Sequence, residues 1–500
     1  MAPINASRRR KPVPTPPTRI VRRNSVSRRA LVLGGTAGAL ATAFGALELL
    51  KEHAVIPERQ AGAAVQPSDV QFDLGAFTPA AVSMDGVMVK MPTLHTIFAT
   101  ARLSRTPSRD DQKALEDALD AIEATYPWSP QGVFLETAYG LPYFNRLSRR
   151  VVDSHIPNLR GSRRSVLEEA VPGPTDVHQT NPGIKKLRFN VPVRIERNDL
   201  LFTLRGDNAD ILSDVLAFLG GSNTLHGQRV RSPRLRSGMT FTSSRAMFMQ
   251  MGMPRKIAES EGLPYAARMN PNSPMFMGFV SQQTESNPAG STVTFVGPQG
   301  HPLTNARSGD YFDNGSVQHL AHDILDLEQW YADDEPFTER VQYMFRSNPI
   351  PSEGNADQFV DGGGGLVFPA SFQGNNDALA NAQAVNTFEG EHRLGHLSCL
   401  HRSSRAADGA PRHLRADGPG YDNMDVPGGG KLPKLQFSVY LPTADLFAQM
   451  RKDAASLDLQ EKFDVEAEDN GLERFLTATR RQNFLVPPRR HRSFPLVELH

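Results

Sequence analysis

The order of the predicted secondary-structure elements limits the first half of this chain to few folds. Leu94–Leu103 is an apolar run rich in residues that favour strands, and it predicts a strand. Ser108 can cap a helix over residues 109–125, where apolar residues recur at helical spacing. Gly132–Thr137 predicts the next strand. The half therefore begins with a strand, a helix and a strand.

A second strand–helix pair follows in the same half. Asp199–Arg205 predicts a strand, and Asn208 can cap a helix that ends at Gly220 and Gly221. Two such units in series are the split β-α-β pattern of a ferredoxin-like domain. The remaining stretches of this half lack periodicity, so we expect a long loop at 145–185 and an irregular region at 222–274.

The second half repeats this order without repeating the residues themselves. Ser291–Val296 predicts a strand, and Gly315–Trp330 predicts a strand that leads into a helix. Leu435–Leu441 alternates apolar and polar residues as a strand does, and Thr443 can cap the helix after it. The sequence thus predicts an α+β fold of two ferredoxin-like halves, of the dimeric α/β-barrel type, with antiparallel sheets and peripheral helices.

The N-terminal region predicts an export signal. The first 29 residues hold nine basic residues and no acidic residue. Arg28 and Arg29 precede an apolar run, rich in Gly and Ala, that continues to Leu47, which is typical of a twin-arginine signal. Cleavage after Ala63 would leave the protein extracellular, periplasmic or attached to the cell envelope. An uncleaved membrane anchor or a disordered basic tail are the alternatives. The expected signal and halves are residues 1–63, 64–260 and 261–500.

Composition excludes some functions for the chain without its signal. Residues 1–63 hold 11 Lys and Arg and 3 Glu, so the remainder has 55 − 11 = 44 basic and 54 − 3 = 51 acidic residues, a net charge of −7. A mildly acidic protein is not expected to bind nucleic acid through its overall charge. The chain has one cysteine, so it can form no internal disulfide.

The segment Gly395–Gly418 concentrates imidazole and guanidinium groups. It contains His396, then Cys399, and then Arg415 nineteen positions after the histidine. In one kind of heme site, a histidine binds the iron from one side and the chain returns an arginine over the other side. Because an arginine stays charged at any working pH, it can hold a peroxide anion or a heme propionate. The alternative interpretation is a solvated loop.

Other chemistries have weaker support. His392 and His396 stand four apart and could bind a metal on one helical face, but a glycine lies between them and no helical pattern surrounds them. Alternating methionines over Met247–Met253 could bind copper or could simply pack. Asp361–Gly365 is a glycine-rich loop without the strand and helix of a phosphate site. A hydrolase elbow of the G-x-S-x-G type is absent from the sequence.

Several short motifs resemble, in order, those of the dye-decolourising peroxidase superfamily, whose members fold as two ferredoxin-like halves with heme in the second. The matching stretches are Asn198–Arg205, Gly278–Gln282, Gly315–Trp330, Leu394–His396 and Leu414–Gly418. Gly278–Gln282 stands where the family has G-F-x-D-G, and the last two stretches stand where it has its heme histidine and distal arginine. The resemblance spans residues 94–480, and the twin-arginine signal agrees with many bacterial members.

The resemblance implies heme b as the cofactor and gives roles to individual residues. His396 would be the proximal iron ligand, with His401 as the second candidate, and Arg415 would be the distal arginine. Gly278 and Phe279 would contact the cofactor. The implied partners are hydrogen peroxide, small organic reductants and the twin-arginine translocase, and the chain could form a homo-oligomer. The candidates for a surface electron relay are Trp330, Tyr331 and Tyr343.

The chain departs from the family at the residue that moves the peroxide proton. Ser281 stands in place of the distal aspartate, and Gln282 in place of the second glycine. A serine hydroxyl cannot accept and return a proton near neutral pH without a base, so its catalytic role would be limited to polar contact. The family's H-x-R-R-x-N-P-R run after the histidine is also poorly kept. The expected function is therefore an exported, heme-dependent peroxidase-like oxidoreductase. A heme-binding protein without peroxidase activity, or a cofactor-free descendant, is the alternative.

Overall fold

The computed structural model describes most of the two halves and a helix before them. The described residues are 36–59, 66–77, 82–84, 87–180, 183–233, 238–279, 288–298, 302–332, 340, 343–344, 395–396, 402–403 and 411–500. The described strands are β1 (Val82–Met84), β2 (Val87–Val89), β3 (His95–Leu103), β4 (Phe134–Gly140), β5 (Arg194–Ile195), β6 (Leu200–Gly206), β7 (Thr224–Leu225), β8 (Gln228–Arg229), β9 (Met239–Phe248), β10 (Ser316–Leu325), β11 (Leu414–Arg415), β12 (Gly418–Asp422), β13 (Leu432–Leu441) and β14 (Leu476–Val486). The described helices are α1 (Thr36–His53), α2 (Arg109–Thr125), α3 (Leu141–Phe144), α4 (Arg149–His155), α5 (Ala209–Ala217), α6 (Met253–Ser260), α7 (Leu327–Trp330), α8 (Ala444–Ala455) and α9 (Leu457–Phe463).

The first half is a ferredoxin-like unit. Its strands lie in the spatial order β4-β6-β3-β9, and all three pairings are antiparallel. Helix α2 connects the first strand to the second, and α5 follows the third strand. Numbered along the chain, the strand order is 2-3-1-4 with helices after strands 1 and 3, which is the split β-α-β arrangement.

The second half has the same strand order. β12 and β11 both pair with β13, β13 pairs with β10, and β10 pairs with β14. Helix α7 follows the first of these strands, and α8 lies between β13 and β14. The order is again 2-3-1-4, so the two halves share one topology, as the predicted fold class requires.

The halves form one ten-stranded sheet that curves toward closure. β14 of the second half pairs with β4 of the first through Phe484 with Gly140 and Leu485 with Tyr139. At the far edges, β12 packs against β9. A Cβ added to Gly420 would lie 2.9 Å from the carbonyl oxygen of Ala246, so a glycine is needed where the two strands approach.

Two of the hydrophobic cores among the described residues lie on opposite sides of this sheet. Ile97 and Leu204 on one face of the first half are fully buried against Leu119 of α2 and Leu216 of α5. A separate core fills the space that the curved sheet encloses and draws on both halves; it includes Phe98, Leu201, Leu320, Tyr440 and Phe484. Side chains of consecutive strand residues alternate between these two cores, so both faces of the central strands are buried.

Several sequence predictions are confirmed. The fold class is α+β with two ferredoxin-like halves, antiparallel pairing and peripheral helices. The helix over 109–125 is α2, and Ser108 and Asp111 form a reciprocal capping box at its start. Asn208 caps α5 by accepting bonds from two backbone N–H groups. Within the described residues, no helix has the length and apolar content to cross a membrane.

Three local predictions are wrong. The strand predicted at Ser291–Val296 is a helical turn at Gly290–Val293, because this segment packs at the end of β10 and not in the sheet. The stretch 222–274 contains β9 and α6, which the prediction missed because the buried faces of β9 carry polar residues. The loop predicted at 145–185 contains α4, a short helix without buried residues and hence without an apolar pattern.

Candidate functional site

A row of four residues crosses the second half at one level. Arg415 of β11 pairs with Val439 of β13, Val439 pairs with His319 of β10, and His319 pairs with Asn483 of β14. Residues that pair directly across strands project to the same face of a sheet. Arg415 and His319 therefore share the outer face of the second half, the face that α8 covers with Phe447.

His319 is held as a neutral imidazole in this row. Its Nδ1 lies 2.7 Å from Oδ1 of Asn483, and its ring stacks on Phe447 with centroids 3.3 Å apart. Burial, and then the charge of Arg481, lower the pKa of His319 well below its usual value. An amide oxygen only accepts, so Nδ1 carries the proton and Nε2 presents a lone pair. Among the described residues, that buried Nε2 has no hydrogen-bond partner.

The positive charge of Arg415 acts on His396. Burial and the positive charge of Arg415 lower the pKa of His396 to about 4, and Glu473 acts in the opposite direction. The side chain keeps some exposed surface, yet protein atoms surround it densely enough for desolvation to dominate. The imidazole is therefore neutral at physiological pH, which is the form that binds metals.

A buried ionic network lies on the same side of the second half. Arg481 makes two bonds of 2.6 and 2.9 Å to the carboxylate of Asp176, and Arg451 donates to Glu473 at 2.9 Å. Lys186 donates to the backbone carbonyl of Glu473. Because Arg451 and Glu473 also act on the pKa of His396, this network sets part of the electrostatic field at the candidate site.

Gly278 and Phe279, the predicted cofactor contacts, belong to a different cluster. Phe279 packs edge-on against Trp330 at 6.3 Å, and Gly278, with φ at +87°, lies beside the hydroxyl of Tyr331. Both residues are buried with the apolar residues around α6 and α7. The charge of Arg415 acts on His396, whereas Gly278 and Phe279 lie in another core.

The remaining candidates have mixed outcomes. Ser281 and Gln282 lie outside the described residues, as do His392, Cys399, His401 and the loops 346–390 and 361–365. Trp330, Tyr331 and Tyr343 are 0, 4 and 2% exposed, so the prediction that they form a surface relay is wrong. Trp330 and Tyr343 pack around Phe475 instead, and Tyr331 stacks on Tyr265 in the same core.

The methionine run divides between two cores. Met247, at the end of β9, faces the space enclosed by the sheet, whereas Met251 and Met253 pack with the apolar residues around α6. Side chains that point into separate cores are packing residues and not a shared set of copper ligands. Nor does any group of three or more His, Cys, Asp or Glu in the described part of the chain converge to hold a metal ion.

Sequence reasoning missed a polar cluster on the inner face of the second half. His322 contacts Thr479 at 2.7 Å through Nδ1, and its Nε2 lies 3.5 Å from Asp422. Arg480 holds Asp425 through two bonds of 2.5 and 2.8 Å. These residues come from three strands and a turn far apart in sequence, so no local motif could have indicated the cluster.

A polar cavity of about 400 Å³ adjoins this cluster. It lies at the edge of β9, below the start of α1, and is lined by Gly38, Ala39, Thr42, Phe241, Thr242, Ser243, Met424, Asp425 and Arg480. His396, Arg415, Gly278 and Phe279 do not line it. The cavity is therefore distinct from the region that the sequence indicated.

The donor set around His396 fits heme chemically. Heme needs one neutral imidazole for its iron and a permanent cation for propionate or a bound anion, and His396 and Arg415 are of those types. Within the part of the chain that the structure describes, Nε2 of His319 has no hydrogen-bond partner and leaves a second buried acceptor on the face of Arg415. Because Phe447 covers the ring of His319, His396 is the imidazole that keeps surface to face a bound group.

Comparison with known proteins finds one matching family model and a group of solved structures with low sequence identity to this chain. Similar solved structures include an encapsulated DyP-type peroxidase from Mycobacterium smegmatis, with 15% identity, a TM-score of 0.44, and coverage of 81% of this chain and 94% of that chain. A DypB variant from Rhodococcus jostii RHA1 in complex with heme has 14% identity, a TM-score of 0.46, and coverage of 82 and 97%. A putative DyP-type peroxidase from Shewanella oneidensis has 14% identity, a TM-score of 0.43, and coverage of 82 and 95%.

The family assignment comes from sequence. No curated protein matches this chain. A family model matches residues 92–488, which is more than three quarters of the chain and includes both ferredoxin-like halves, His396 and Arg415. The protein therefore belongs to the family described as DUF7405, a family of unknown function.

Proposed function

We propose that this protein is a heme-binding oxidoreductase of the peroxidase type, with the cofactor on the outer face of the second half. One observation supports the proposal: the imidazole of His396 is neutral in its buried setting, and the positive charge of Arg415 contributes to lowering its pKa, so a nitrogen that can bind iron and a permanent cation act on each other. The sequence motifs that resemble dye-decolourising peroxidases support the same choice of residues. The substrates proposed are hydrogen peroxide and small organic reductants.

His396 and Arg415 would have different roles toward the cofactor. His396, deprotonated above a pKa of about 4, would offer its lone pair to the iron. Arg415 would hold an anion, either a propionate or a peroxide, through its fixed fork of donors. When bound, heme would supply the redox chemistry of peroxide reduction. Phe447 would exclude water from the neighbouring part of the face, where it stacks on His319.

The proton step limits the expected rate. Ser281 stands where the resembled family has its distal aspartate, and a hydroxyl does not hold a proton for return near neutral pH. Loss of a general base lowers a rate by a factor of about 10² to 10⁴. This substitution favours a second candidate function, heme binding without efficient peroxide turnover.

A visible spectrum of the purified protein with added hemin tests the proposal. We expect a Soret band in the full chain and in a His155→Ala control, whose histidine lies at the end of α4 in the first half. His396→Ala should lose the band, because the proposed ligand is gone. Arg415→Lys keeps the charge but loses the planar fork, so the band should remain while peroxide-dependent oxidation of a dye falls.

The outcomes separate the alternatives. A Soret band that depends on His396, together with dye oxidation that depends on Arg415, supports the peroxidase. A band that depends on His396 without dye oxidation supports heme binding alone. A chain that takes up no hemin, or takes it up equally well without His396, rejects the proposal and leaves the cofactor-free descendant.

A further inference from the structure

The helix α1 lies in a groove of the first half. Its buried side chains Leu40, Ala43, Leu47 and Leu50 recur at intervals of three and four, so they form one stripe along the helix. The first three join the core beneath α5 and β9, and Leu50 joins the core around α6. The apolar run that the sequence assigned to an export signal therefore fills a site on the chain's own folded domain.

One strand residue recognises the backbone of this helix. The hydroxyl of Ser244, on β9, donates to the carbonyl oxygen of Ala39 at 2.8 Å and accepts from the N–H of Ala43 at 3.2 Å. These two backbone groups are one helical turn apart, so the hydroxyl bridges a single turn. Apolar packing alone would not fix the helix along its axis, whereas this pair of bonds sets its register.

Polar contacts continue beyond the end of the helix. The backbone of Val55 exchanges two hydrogen bonds with the side chain of Gln250, at 3.0 and 2.5 Å. Arg59 makes two bonds of 2.5 and 3.1 Å to Asp207, whose side chain is 1% exposed. A carboxylate buried to this extent needs a cationic partner, and Arg59 supplies it from within the expected signal.

We propose that residues 36–59 are a permanent part of the folded protein, bound in the groove formed by β9, α5 and α6. The predicted cleavage after Ala63 would remove the stripe of α1 from this groove and Arg59 from Asp207. It would also remove Gly38, Ala39 and Thr42 from the wall of the 400 Å³ cavity. Any processing of the N-terminus therefore falls before Thr36, and the cavity keeps α1 as its cover.

Paired cysteines test the docking directly. In a Cys399→Ser background, which removes the one native thiol, His53→Cys and Ser260→Cys place two thiols where the end of α1 meets α6, since the native side chains lie 3.1 Å apart. We expect a short bifunctional thiol reagent to cross-link this pair rapidly. The matched control joins Ser260→Cys with Glu48→Cys, which lies on the exposed side of α1, and it should cross-link much more slowly. Equal rates for the two pairs would overturn the proposal.

Deletion and processing give independent readings. A chain that lacks residues 1–63 should unfold at a lower temperature and bind more of an apolar dye than one that lacks only 1–29. Equal stability and dye binding of the two would refute the inference. If the shorter chain fails to fold, the cross-linking rates of the cysteine pairs still show whether α1 is docked in the groove.

In a host with a twin-arginine pathway, the intact mass of the exported protein should include Thr36. A mass that begins after Ala63 would contradict the retention of α1. None of these measurements needs heme, so they stand apart from the proposed function.

Discussion

The contribution of Asp323 to the stability of the folded protein should fall as pH rises through its titration. This aspartate lies on β10, is 9% exposed, and has a pKa raised from 3.8 to about 6, because burial outweighs the attraction of Arg481 and Arg451. Between these pKa values the folded state binds the proton more tightly than the unfolded state. Ionisation of Asp323 therefore costs stability as pH rises from about 4 to about 6, and the cost is complete above pH 6.

The magnitude follows from the shift. A difference of about two pKa units, at 1.36 kcal/mol per unit, is about 3 kcal/mol. Asp323→Asn keeps the size of the side chain and removes the titration. We expect the variant to exceed the wild type in free energy of unfolding by up to about 3 kcal/mol at pH 7.5, and the difference to vanish near pH 4.

Urea unfolding of both proteins between pH 4 and pH 8 measures this difference, since other titrating groups largely cancel. The control is Asp117→Asn on α2, whose carboxylate is 61% exposed in a pair with Lys113. Surface pairs of this kind contribute about 0 to 1 kcal/mol, so the control should stay near the wild type at every pH. A difference for Asp323→Asn that is constant across the range, or that favours the wild type at pH 7.5, would refute the reasoning.

Two further substitutions test the fold. Gly420→Ala should destabilise the protein by about 1 to 3 kcal/mol, because the new Cβ would meet the carbonyl oxygen of Ala246 at 2.9 Å; an unchanged urea midpoint would show that β12 and β9 can separate freely. Asn208→Ala should cost about 1 kcal/mol through loss of the two capping bonds at α5, and Asn208→Asp should retain most of the stability. Equal losses in the two Asn208 variants would contradict a capping role.

The sequence predicted the strand–helix pairs well where one face of an element is polar. In α2, Leu115, Leu119 and Ile122 are buried while the opposite side is solvated, and the helix has the predicted bounds. β9 lacks such a contrast. Its residues Ser243 and Arg245 are polar and yet buried, because they face the interior of the curved sheet and the neighbouring carboxylates. An alternation of apolar and polar residues indicates a strand with one buried face and one solvated face. It cannot indicate a strand when both faces of the strand are buried and one of them is polar.

The candidate site was predictable only in part. The spacing of His396 and Arg415 within one segment suggested that they lie near each other, and the shift in the pKa of His396 agrees with that. His319 could not have been chosen, since its partner Asn483 is 164 residues away and the pairing depends on strand register. Gly278 and Phe279 were chosen from a motif, but a short motif does not show which core its residues enter.

The contact between β9 and β12, called the seam below, lies between the groove that holds α1 and the strand that carries Arg415. α1 contacts β9 through Ser244, and the backbone of β9 two residues further on meets Gly420 of β12. β12 begins three residues after Arg415. The groove that holds α1 and the candidate heme face are therefore connected through β9 and β12. No ladder of hydrogen bonds joins β9 to β12 in the described sheet, whereas β11 is fixed to β13. Since Arg415 takes its position from β13, loss of α1 should loosen the seam and leave the row of Arg415, Val439 and His319 in register.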